Sequence, residues 1–220
     1  MDTGQSRFGL NGAWRSALRL GLVAVIATAV LAGVNQLTRD RIQEQERRAI
    51  LRQLGELVTP ERYDNTLYSD HYSFKDEHWF PGGQTVTVYR ARLKTRPIAA
   101  VFRLLATQGY NGNIHLLVGI NANGELSGVR VTSHKETPGL GDAIESGKSN
   151  WILEFAGLSL LNPEPAQWKV KRDGGSFDQF TGATITPRAV VKAVQMTLEF
   201  YSANRETVFM HASEGIKMNE

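Results

Sequence analysis

Hydrophobic and polar positions divide this chain into three regimes. From Leu20 to Thr38 there is no charged residue, and from Leu20 to Val34 nearly every position is apolar or small. As a helix, those 19 residues reach about 28 Å, close to the hydrocarbon thickness of a bilayer. After Arg39 the apolar positions thin to Ile42, Ile50, Leu51, Leu54, Leu57 and Val58, a helical spacing that Pro60 ends. Residues 61–83 are polar and aromatic, with a turn at Pro81-Gly-Gly83. Period-two runs follow. Thr85–Arg92, Ile98–Leu105, Ile114–Ile120 and Leu126–Ser133 predict strands joined at Lys94–Pro97, Gly109–Gly112 and Asn121–Gly124. Adjacent hairpins predict an antiparallel sheet. Residues 141–160 read as helical and Lys169–Lys171 as one further short strand. Val190, Val191, Val194, Leu198 and Tyr201 lie on one face of a last helix over 187–204.

Strands followed by helices, without regular βαβ alternation, give an α+β class. The predicted organisation is a cytoplasmic tail (1–16), a single transmembrane helix (17–37), an amphipathic connecting helix (38–60) and one extracytoplasmic domain (61–220). The domain is an antiparallel sheet with flanking helices.

Charge refines this picture. The net charge of +3 is small and scattered, so it predicts no nucleic-acid partner. Arg7, Arg15 and Arg19 precede the apolar run, which places the N-terminus in the cytoplasm and the rest outside it. Arg39, Arg41, Arg47 and Arg48 follow the run and weaken that asymmetry. Ala27-Thr-Ala29 fits a signal-peptide cleavage pattern. The run is longer than a signal core, however, and continues straight into a helical segment. There is no cysteine, which excludes disulfides, thiolate-held iron–sulfur clusters, thiol catalysis and covalent c-type haem. A redox role therefore needs a bound organic cofactor or a non-covalent haem. A hydrolase is disfavoured: no Gly-x-Ser-x-Gly is present, and the five histidines show no metal-ligand spacing.

The candidate chemistry lies late in the chain. Asp178-Gln-Phe-Thr181-Gly182-Ala183-Thr184-Ile-Thr186-Pro187 presents a threonine after small residues at a helix start. Thr186 and Pro187 read as N-cap and first helical residue. A phosphate on Thr184 would then meet the free N–H groups of that helix, with Arg188 adding charge. Read alone, this is also an ordinary loop entering a helix. A second constellation, His134-Lys135-Glu136-Thr137-Pro138-Gly139-Leu140-Gly141, ends the fourth predicted strand. Its proline and glycines force an irregular turn, and Glu136, Thr137 and Leu140 offer the polar and apolar contacts that a flat ring needs.

The pair, some forty residues apart, resembles the FMN-binding domain family. That family is shared by the G subunit of the Rnf/Rsx ion-translocating electron transport complex and the C subunit of the sodium-translocating NADH:quinone reductase. The resemblance implies FMN held as a phosphoester on Thr184 within an Asp-x-x-(Ser/Thr)-Gly-Ala-Thr motif formed here by Asp178, Thr181, Gly182, Ala183 and Thr184. It implies that Glu136, Thr137 and Leu140 lie near the flavin, and that a separate flavin transferase moves FMN from FAD. It further implies an electron carrier in the inner membrane, with its flavin domain in the periplasm and other Rnf/Rsx subunits as partners. Chain length favours the Rnf/Rsx protein over its quinone reductase counterpart. A membrane-tethered sensory or ligand-binding domain without a covalent cofactor is the alternative from another class. Trp151 and Phe155 could pack beside the ring, but a plain core role is the expectation for both.

Overall fold

The structure, a computed structural model, describes residues 10–211. The tail with Arg7, and the side chains of Arg15, Asp40, Ile42 and Glu46, lie outside the described part. Helix α1 (Leu10–Leu57) is continuous over 48 residues. Within it, Ala17–Arg39 is long and apolar enough to cross a membrane, and each of its side chains is exposed. The sequence predicts two helices here. The structure joins them, because residues 39–54 contain neither glycine nor proline to interrupt the backbone ladder. By contacts the chain divides between Ala49 and Ile50, so the last two turns of α1 belong to the folded unit that follows.

That unit is built on a five-stranded antiparallel meander in sequence order: β1 (His71–Phe74), β2 (Val86–Leu93), β3 (Arg96–Gly109), β4 (Gly112–Asn121) and β5 (Leu126–Ser133). Both faces of the sheet are covered. Val86, Val88, Ala100, Phe102, Leu104, Ile114, Leu116, Val118 and Ile120 face one core. Tyr89, Ala91, Ala99, Val101 and Leu117 face the other, where Leu54, Leu57 and Val58 pack on them. The alternation follows from the period-two geometry of a strand. Pairings such as Val88 with Phe102, and Phe102 with Val118, keep like faces together across the sheet.

Helix α2 (Ile185–Met210) covers the larger core, crossing β3 and β4 with Val190, Val191, Val194, Leu198 and Tyr201 buried. Two 3₁₀ segments, Gly141–Ile144 and Trp151–Phe155, close the same core. They replace the helix predicted over 141–160. Ile144, Trp151, Ile152 and Phe155 are buried as a helical period would bury them, but the polar run Ser146-Gly-Lys-Ser-Asn150 separates the turns. Lys169–Lys171 is likewise not a strand: Val170 makes one isolated parallel bridge to Phe177. Strand β1, too short and polar to stand out, pairs at the edge with β2.

Candidate functional site

Three segments distant in sequence meet at the N-terminal end of α2. They are the β3–β4 tip around Gly109–Gly112, the loop after β5, and the loop 178–184 that feeds the helix. Glu136 joins them. Its residue is only 5% exposed, so its carboxylate is satisfied by protein groups. The Thr186 hydroxyl donates to Glu136 Oε2, and the Asn111 backbone N–H donates to Glu136 Oε1 at 3.1 Å. Asn111 Nδ2 also donates to Thr137 Oγ1 at 3.2 Å.

The loop itself is held from below. His134 Nδ1 accepts the Glu136 N–H at 3.0 Å, which leaves Nε2–H to donate to Glu145 at 2.8 Å. The Thr137 carbonyl accepts the N–H groups of Leu140 and Gly141, each at 3.1 Å. Gly139 turns the chain at φ +77°, and Gly141 admits Glu136 close to the backbone. A Cβ at Gly141 would lie 2.8 Å from Glu136 Cβ and 3.1 Å from Thr186 Oγ1.

The second loop lies directly against the first. Gly182, at φ +80°, turns under Leu140: a Cβ there would sit 3.5 Å from Leu140 Cδ2. Leu140 and Ile185 remain largely exposed, giving apolar surface beside a half-buried Thr184. The Phe180 carbonyl accepts the Ala183 N–H at 3.1 Å, and Phe180 packs edge-on against Trp151. Trp151 Nε1–H donates to the Asp178 carbonyl at 2.9 Å. Trp151 and Phe155 are thus core residues, and Trp151 also anchors the loop. The Asp178 side chain pairs at the surface with Lys171 at 2.6 Å, and Thr181 is exposed.

Two sequence readings are corrected. Thr186 is not the N-cap. Thr184 takes that position, with Ile185 opening the helix, and Thr186 is buried with its hydroxyl spent on Glu136. Arg188 is paired with Asp173 through two bonds of 2.7 and 2.9 Å. The Asp173 bond raises the Arg188 pKa, and the same bond holds the Asp173 carboxyl below its usual range. Sequence reading missed Gly109 and Asn111, which it took only as turn residues. The paired glycines of that tip were the visible signal, but nothing local links Asn111 to a residue 25 positions away.

The residues present fit a phosphoester-linked group. The Thr184 side chain makes no capping hydrogen bond, although its position is that of a cap. No acidic residue occupies the first turn of α2, so its free N–H groups and positive dipole end favour an anion there. Small residues at 182 and 183 leave room, and Leu140 and Ile185 supply apolar contact.

The FMN-binding domain family matches residues 109–199, and the RnfG N-terminal region matches residues 10–57. The G subunit of the ion-translocating oxidoreductase complex of Shewanella baltica (strain OS223) is 43% identical over 195 residues, covering 89% of this chain and 92% of that protein. The G subunit from Pseudomonas aeruginosa (strain UCBPP-PA14) is 47% identical over 192 residues, covering 87% and 90%. That of Pseudoalteromonas atlantica (strain T6c / ATCC BAA-1087) is 42% identical over 200 residues, covering 91% and 93%.

Proposed function

The chain belongs to the RnfG family, the G subunits of ion-translocating oxidoreductase complexes, and on that premise we propose that it is a membrane-anchored flavoprotein carrying one FMN on Thr184. FMN, when bound, supplies reversible uptake and release of electrons, and the protein sets its place and surroundings. The chain would relay electrons between partner subunits of a membrane complex that couples electron transfer to ion translocation. It would have no independent catalytic activity. The observation that carries the reading is the convergence of the Glu136–Gly141 loop with the uncommitted N-cap hydroxyl of Thr184 at the start of α2.

Attachment would follow from a separate flavin transferase acting on FAD. The Thr184 oxygen would bond to the FMN phosphorus as the pyrophosphate bond of FAD breaks, with AMP as the leaving group and the hydroxyl proton released. In this chain Leu140 and Ile185 would contact the group, the first turn of α2 would face its phosphate, and Thr137 would border the site. The N-terminal match and the relatives favour the RnfG assignment over the corresponding quinone reductase protein. The span Ala17–Arg39, preceded by Arg15, supports a single-pass inner-membrane protein. Its N-terminus would be cytoplasmic and its flavin domain periplasmic.

The test is attachment. Intact mass of the purified chain should exceed the sequence mass by one FMN less one water. Thr184→Ala should abolish in-gel flavin fluorescence, whereas Thr181→Ala should retain it. Covalent flavin on a Thr184→Ala chain would refute the assignment.

A further inference from the structure

The geometry points to a positioning role for Thr186 and Glu136: their hydrogen bond holds the start of α2 so that Thr184 keeps its hydroxyl free for flavin transfer. This rests on the reading of Thr184 as the FMN acceptor. A threonine at an N-cap ordinarily spends its side-chain oxygen on an N–H of the first turn. Thr184 stands at that place and makes no such bond. The helix start is held instead two residues later, where the buried Thr186 hydroxyl donates to Glu136, 50 positions away in sequence.

The Glu136 carboxylate has one seat. Asn111 N–H reaches one oxygen at 3.1 Å, and Thr186 reaches the other. Both oxygens lie against backbone that carries no Cβ. A Cβ at Gly109 would fall 2.9 Å from Oε1, and one at Gly141 would fall 2.9 Å from Oε2. The Glu136 main chain is fixed in turn by His134, itself bonded to Glu145. A carboxylate so enclosed holds Thr186 in one place, and through two residues of helical backbone it holds Thr184. The two residues act through Thr184 and are positioning residues, not the acceptor.

The experiment uses the full chain co-expressed with its flavin transferase. It reads the initial rate of covalent flavin incorporation per folded chain, by in-gel fluorescence and intact mass, beside the melting temperature. Thr186→Val removes the donor at nearly constant volume, Thr186→Ser keeps it, and Glu136→Gln surrenders one of the two acceptors. Misplacing an acceptor by an ångström should slow incorporation about 10- to 100-fold in Thr186→Val, while Thr186→Ser should stay within about twofold of the unsubstituted chain. Glu136→Gln should also slow it. A folded Thr186→Val chain that takes flavin at the normal rate, even with a lowered melting temperature, would overturn the proposal. If Thr186→Val does not accumulate as a folded chain, a normal rate in Glu136→Gln would overturn it equally. Flavin persisting on Thr184→Ala would instead remove the reading beneath the proposal, and the two failures are told apart by that control.

Discussion

At the scale of single residues, Leu140 allows the proposed flavin's surroundings to be tested apart from its attachment. It lies over Gly182, is largely exposed, and takes no part in the Glu136 bonds. Leu140→Ala should therefore leave covalent FMN in place while shifting its absorption spectrum or midpoint potential, because the ring's surroundings become wetter. An unchanged spectrum and potential would mean that the ring rests on another surface. Much of this site was legible as residue types: two short motifs stand in the sequence, and the fold brings them together through Leu140 with Gly182 and Glu136 with Thr186. What was not legible is which hydroxyl does what. Thr186 and the following proline read as a cap and first helical residue, whereas Thr184 takes the cap and Thr186 lies inside the helix. Only a buried partner on another loop decides between them, and such a contact leaves no local trace.

Among the elements, α2 is held at both ends. Its first turn is tied to Glu136. At its last turn, Arg90 and Arg92 reach from β2 to the free carbonyls: Arg90 donates to His211 O at 2.5 Å and Val208 O at 3.4 Å, and Arg92 to Phe209 O at 2.7 Å. Asp70 pairs with both guanidinium groups, at 2.5 and 2.8 Å. Arg90 is 1% exposed and lies over the Tyr72 ring. Arg90→Leu leaves buried acceptors unpaired and should cost about 3 kcal/mol of stability. Arg92→Ala, at a more exposed site, should cost nearer ~1 kcal/mol. Urea unfolding midpoints compare the two, and equal small losses would show that the buried pair adds nothing. Strands β2 to β5 were readable because alternation against two cores writes itself into sequence. Strand β1 was not, since His71-Tyr-Ser-Phe74 is short and flanked by polar residues. The 3₁₀ segments were misread as a helix because buried positions at similar spacing imitate its period.

For the whole molecule, two outcomes follow from how the chain is divided. In the proposed orientation, protease added to spheroplasts should digest residues beyond about Arg39, and inside-out vesicles should protect them. The reverse pattern would reverse the topology. The folded unit also carries an alkaline limit. Burial raises the pKa values of Tyr63, Tyr72, Tyr89 and Tyr201 above 10.0, with Tyr72 pushed up to about 12 against the opposing pull of Arg90. The neutral phenols are favoured in the fold, whereas the unfolded chain ionises near pH ~10. This contribution is thus complete below about pH 10 and lost as pH rises toward about 12. The urea midpoint should fall across that window, with tyrosinate absorbance rising together with unfolding. Tyrosinate forming well before unfolding would contradict the burial.

The order of the strands bears on timing. Because β1 to β5 are neighbours in sequence order, each strand finds its partner from chain already at hand. Helix α2 comes last and must return to β3. The place where Thr184 stands is thus finished only when the final helix docks and Thr186 meets Glu136. A short peptide spanning 178–187 has the motif without that place. On the proposed attachment to Thr184, maturation would follow folding, and the flavin would mark that folding is complete.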